Sequence, residues 1–112
     1  MNRVASVISL KRDKVEEYKR LHAAVWPEIG RIISEANMRN YSIYCRKLPD
    51  GKFYLFSYFE YAGDGIKMDM AGKAGYELTQ RWCSVCGPCQ DPLDDRESGE
   101  WWAGTIAVFH RD

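Results

Sequence analysis

No stretch of this sequence approaches the roughly 18 consecutive apolar residues that a membrane-spanning helix requires. Neither charge is in excess: 16 Lys and Arg offset 16 Asp and Glu. No net positive field therefore exists to draw the chain to nucleic acid or to an anionic membrane surface. Histidine is scarce, with His22 and His110 as its two copies. A Gly-rich phosphate loop, an H-E-x-x-H pair and a G-x-S-x-G elbow are all missing, and with them the usual marks of nucleotide binding, zinc proteolysis and α/β-hydrolase chemistry. The opening Met1-Asn2-Arg3-Val4-Ala5-Ser6 carries one basic residue but no apolar segment of the kind a secretion signal has. It reads as the first strand of a protein kept in the cytoplasm.

What is abundant is aromatic: 13% of 112 residues, from 4 Trp, 7 Tyr and 4 Phe. Apolar residues at 46% and charged residues at 29% make an ordinary globular balance. The length supports one domain over residues 1–112 and leaves no room for two. Of the cysteines, Cys45, Cys83, Cys86 and Cys89, three fall within seven residues, a poor layout for stapling distant parts of a fold. They are expected to be free thiols in a reducing compartment.

Arg3 to Leu10 is short and rich in Val and Ile, as a strand is. Asp13 with Glu16 has the spacing of a helix-starting capping box. Val15, Tyr18, His22 and Val25 then recur at intervals of three, four and three, along one helical face. Pro27 breaks that helix and suits the first turn of the next, whose stripe is Ile29, Ile32, Ile33 and Ala36 and whose end is expected at Asn37. Tyr41 to Leu48 and Phe53 to Tyr61 read as strands joined by the turn Pro49-Asp50-Gly51-Lys52. Ile66 to Val85 reads as helix interrupted at Gly72 and Gly75. A polar loop over Gly87 to Gly99 and a last strand over Thr105 to His110 complete the chain. The order β, broken α, β, β, α, β describes an α+β fold of the ferredoxin-like βαββαβ type. Helices on one side would leave the other sheet face for a second copy to cover.

Cys86-Gly87-Pro88-Cys89 has the C-x-x-C frame of dithiol oxidoreductases, but it follows a helical stretch with 23 residues remaining, too few for the rest of such a fold. Cys83, Cys86 and Cys89 have metal-ligand spacing but lack a nearby fourth ligand. Asp94, Asp95, Glu97 and Glu100 read as a solvated loop face. On spacing alone, His22 fits a core histidine bonded to a carbonyl, or a proton donor at the core's edge beside Tyr18, one turn away. An imidazole with an unperturbed pKa of about 6.5 suits the second task. Trp26, Trp82, Trp101 and Trp102 fit core packing or the wall of a pocket that stacks on a sugar's C–H face.

Glu17-Tyr18, His22, Trp26-Pro27-Glu28, Asn40-Tyr41, Gln80-Arg81-Trp82 and Val108-Phe109-His110, in this order across nearly the whole chain, resemble the L-rhamnose mutarotase family. The stretches Leu21 to Glu28 and Gly99-Glu100-Trp101-Trp102-Ala103 look more like its L-fucose-associated branch. The resemblance implies a cofactor-free cytoplasmic isomerase that interconverts the α and β anomers of a 6-deoxyhexose, on a dimeric α+β barrel. It implies His22 as proton donor, and Tyr18, Tyr41 and Trp82 as sugar contacts. The chain departs from the family in two places. Cys83 stands where a second tryptophan is common, and Ile106-Ala107 stands where acidic residues often precede Val-Phe.

Overall fold

The computed structural model describes residues 2–70 and 72–112. Strand β1 (Asn2–Leu10) is followed by a 3₁₀ turn (Arg12–Lys14), helices α1 (Val15–Ala23) and α2 (Pro27–Glu35), and strands β2 (Met38–Lys47) and β3 (Phe53–Tyr61). Helices α3 (Ile66–Met70) and α4 (Lys73–Cys86), a 3₁₀ turn (Gly87–Cys89), and strands β4 (Gln90–Asp91) and β5 (Ala103–Gly104) follow. The strands form one antiparallel sheet in the order β2-β3-β1-β4, with β5 also paired to β1. This is the ferredoxin-like arrangement that the element order implied.

Local chemistry explains most of the boundaries. Pro27 occupies the first turn of α2, where its missing N–H costs nothing. Asn37 ends that helix in the left-handed region at φ 64°, a conformation asparagine tolerates. Gly51 (φ 84°) supplies the positive φ of the β2–β3 turn, and its N–H donates to the Leu48 carbonyl. Register then sorts the sheet residues. Ile8, Leu10, Leu55, Ile43 and Phe53 share the face packed against Val15, Tyr18 and Cys86. Full burial of side chains such as Ile8 and Leu55 contributes about 1.5–3 kcal/mol each. On the opposite face Val7, Phe56 and Tyr44 lie side by side.

Several expectations are corrected. The Asp13–Glu16 capping box does not form: a 3₁₀ turn takes Arg12–Lys14, Lys14 precedes the first residue of α1, and no side chain caps it. Gly72 does interrupt the helical stretch, as the residue before α4, but Gly75 lies inside α4. The polar stretch from Gly87 to Gly99 is not loop throughout, since Gln90 and Asp91 pair with Leu10 and Ser9. The last strand over Thr105 to His110 is absent. Pairing with β1 stops at Gly104, and the Thr105 hydroxyl, not its backbone, donates to the Ala5 carbonyl. Ile106, Val108 and Phe109 are 89%, 96% and 75% exposed, so extending the strand buries no apolar surface in a single copy.

Candidate active site

Helix α1 places Tyr18 and His22 one turn apart, and their rings stack with centroids 4.1 Å apart and planes 23° from parallel. The His22 Nδ1–H donates to the Tyr18 carbonyl at 3.0 Å. A carbonyl can only accept, so this bond places the neutral ring's proton on Nδ1 and leaves the lone pair on Nε2. Burial pushes the His22 pKa below its free value of 6.5, partly opposed by that backbone bond. At neutral pH His22 is therefore an uncharged imidazole with Nε2 as its proton acceptor. The carbonyl-bonded reading of its spacing holds, and the same ring lines a cleft.

Trp82 reaches this pair from α4, its ring 5.4 Å from His22 and set edge-on at 63°. Trp26, at the start of α2, backs Trp82 at 5.0 Å. Tyr41 arrives by a different device. Register shifts between Arg39 and Ser42, where Asn40 adopts φ 51°. A bulge of this kind reverses the side-chain alternation of a strand. Met38 and Ile43 can thereby both face the helices despite their odd separation, and Tyr41 joins them on the cleft side. The Asn40 side-chain amide donates to Glu60 at 2.9 Å across the bulge.

The resulting cleft encloses about 730 Å³ and brings together all four residues singled out from the sequence, Tyr18, His22, Tyr41 and Trp82. Lys11 is the one charged side chain among its lining residues, measured over the described part of the chain. Burial holds the Tyr18 and Tyr41 phenols above the usual phenol range, so both are neutral O–H groups. An annex of about 300 Å³ opens beside His22, Tyr41 and Trp82 with Val25, Ile29, Ile33 and Ile43 as its aliphatic wall.

Three lining residues were not anticipated as a group: Gln90, Trp101 and Trp102. Trp101 and Trp102 carried a general signal as surplus aromatics, whereas Gln90 carried none. Loop 92–102 brings the tryptophans in by tying itself together. Glu100 accepts from the backbone N–H groups of Glu97 at 3.0 Å and Gly104 at 3.2 Å. Arg96 donates to the carbonyls of Glu100 and Leu93 at 2.8 and 2.9 Å. Glu100 is thus a brace and not part of a solvated acidic face. Cys86 and Cys89 pack in the core, whereas Cys45 and Cys83 are exposed. Burial first, then the neighbouring thiols, push Cys86 up to about 12, the reverse of the lowered value a reactive dithiol needs. Among the described residues no group of three His, Cys, Asp or Glu side chains could hold a metal ion.

The family model described as L-rhamnose mutarotase matches residues 3–111. The chain belongs to the L-rhamnose mutarotase family. Members that resemble it include the L-rhamnose mutarotase of Bacillus subtilis (strain 168), 33% identical over 95 residues, spanning 85% of this chain and 86% of that protein. The L-rhamnose mutarotase of Lactiplantibacillus plantarum is 28% identical over 112 residues, the whole of both chains. The crystal structure of an L-rhamnose mutarotase from Formosa agariphila superposes with a TM-score of 0.74 over all of both chains at 20% identity, which establishes the shared fold.

Proposed function

We propose that this member of the L-rhamnose mutarotase family interconverts the α and β anomers of L-rhamnose in the cleft around His22. The observation that carries the reading is the His22 imidazole, fixed through Nδ1 and flanked by a phenol and an indole edge. Such a group can move a proton at Nε2 without moving itself. Anomer exchange needs a proton taken from the anomeric hydroxyl and one delivered to the ring oxygen. Those two oxygens share one carbon, so a single nitrogen can serve both.

Nε2 first accepts the anomeric proton. The bond from the anomeric carbon to the ring oxygen breaks as the carbonyl forms, and the imidazolium returns the proton to the ring oxygen. Rotation about C1–C2 followed by the reverse sequence closes the ring on either face. Protons and electrons balance without any redox partner. Tyr18 donates a hydrogen bond to a sugar oxygen, Tyr41 contacts the sugar, and Trp82 stacks against its C–H face. The aliphatic annex suits the 6-methyl group, and a neutral sugar requires no dense charge in the cleft.

The partner of the open sheet face is a second copy of the chain. Tyr44, 66% exposed, continues the row Val7–Phe56, and the exposed Ile106, Val108 and Phe109 add apolar surface that one copy leaves uncovered. Four free cysteines fit residence in the reducing cytoplasm; no helix among the described residues is long and apolar enough to cross a membrane.

Saturation-transfer NMR on equilibrated L-rhamnose, with L-fucose as a second arm, tests the reading. Accelerated exchange with L-rhamnose is expected. Faster exchange with L-fucose alone would reassign the sugar, binding without acceleration would select a non-catalytic sugar-binding domain, and unchanged exchange with both would overturn the proposal.

A further inference from the structure

Gln90 is a buried polar residue, 7% exposed, placed at the cleft by the short β4 pairing. Its amide touches two aromatic residues. The Trp101 indole N–H donates to Gln90 Oε1 at 2.7 Å, and Gln90 Nε2 donates to the Tyr18 hydroxyl oxygen at 3.4 Å. An indole nitrogen can only donate, so Trp101 determines which end of the amide is oxygen. The NH₂ group is thereby turned on Tyr18, whose oxygen must accept. Among the described residues the Tyr18 hydroxyl takes part in this hydrogen bond as acceptor and donates none, so its proton is free to point into the cleft.

We infer that Gln90, locked by Trp101, is a positioning residue that commits the Tyr18 hydroxyl to act as a hydrogen-bond donor toward the sugar. The inference rests on the mutarotase reading and adds to it the polarity of one contact. It also gives loop 92–102 a task, since the loop that Glu100 and Arg96 hold together carries the tryptophan that sets the amide. Opening the ring builds negative charge on an oxygen, and a donor already aimed there stabilises that charge without reorienting.

The test is Gln90→Glu, close to isosteric. An ionised carboxylate accepts from Trp101 but also accepts from Tyr18, turning the phenol proton away from the cleft. A protonated carboxyl can accept from Trp101 and donate to Tyr18, restoring the original polarity. The quantity to measure is kcat/KM for L-rhamnose, as variant over wild type, across pH. The new carboxylate shares the cleft with Lys11, His22, Tyr41 and Cys86 and follows Cys89 in the chain. The His22 protonation of each protein is therefore followed by its imidazole NMR shifts, and the ratio is compared at equal His22 protonation. With the new carboxyl ionised, the ratio is expected to fall by about tenfold, the scale of one hydrogen bond reversed, and to recover as pH drops through the carboxyl's pKa. Gln90→Met, which has neither polarity, should show a reduced ratio that does not vary with pH, and the Trp101 indole N–H resonance should move. A pH-independent ratio for Gln90→Glu, or full activity in both variants, would overturn the inference. A wild type that accelerates no exchange would instead overturn the mutarotase reading, and this role with it.

Discussion

The two faces of the sheet are built from neighbouring residues yet behave as opposites. Leu55 and Phe56 are consecutive in β3. Leu55 is 1% exposed beneath α1 and α4, whereas Phe56 lies on the uncovered side beside Tyr44 and Val7. The covered face ends in a cleft where three polar groups are oriented: His22 by a carbonyl, Tyr18 by Gln90, and Gln90 by Trp101. The open face carries tyrosines bound to nearby carboxylates, such as Tyr54 to Asp50 and Tyr58 to Glu60. A hydrogen bond removed from competing water is electrostatically stronger, and the covered face provides that removal.

The largest effect should come from the group that moves the proton. His22→Ala is expected to slow anomer exchange by about 10²–10⁴-fold while circular dichroism shows the fold intact. An unchanged exchange rate would move the chemistry off the covered face. Next comes the contrast between faces. Leu55→Ala should destabilise the protein by about 2–5 kcal/mol, independent of protein concentration. Tyr44→Asp should change the stability of an isolated copy by less than about 0.5 kcal/mol, as for other exposed positions. By sedimentation it should shift the chain from dimer to monomer, and a wild type that sediments as a monomer would leave the open face without its proposed partner.

The smallest effect concerns pH. His22 in the folded protein binds its proton less readily than the free imidazole at 6.5. Below that pH the unfolded chain therefore holds more protons than the folded one, and stability falls on acidification. Above it the contribution of His22 is fully present. Chemical denaturation from pH 7.5 down to 5 should show this decline, and His22→Ala should lack that part of it. Activity should fall in the same direction, because the acceptor at Nε2 is lost on protonation.

Helices were legible wherever a short-range rule decided them. Pro27 had to start a helix, Gly51 had to turn the hairpin, and a four-residue interval had to set His22 over Tyr18. Rules of that kind failed where a competing local structure was nearly as good. The Arg12–Lys14 turn displaced the capping box, and α4 absorbed Gly75, at a cost of roughly 1 kcal/mol that a packed helix can bear. The last strand failed for another reason: Thr105 to His110 has the composition of a strand, but strand formation there depends on a surface to bury against. Gln90 could not have been found at all. A glutamine between a 3₁₀ turn and a loop has no pattern, and its importance comes from partners 72 and 11 residues away.

The amino-acid sequence by itself determined the order of elements from β1 to α4 and the shared helical face of Tyr18 and His22, because those depend on backbone geometry within a few residues, and it carried the family's motifs in order along the chain. Only the tertiary structure decided that Trp82 closes on His22, that a bulge at Asn40 brings Tyr41 to the same cleft, and that Trp101 sets the amide that aims Tyr18. Those contacts join segments whose separation is set by strand register and burial, which no local interval encodes.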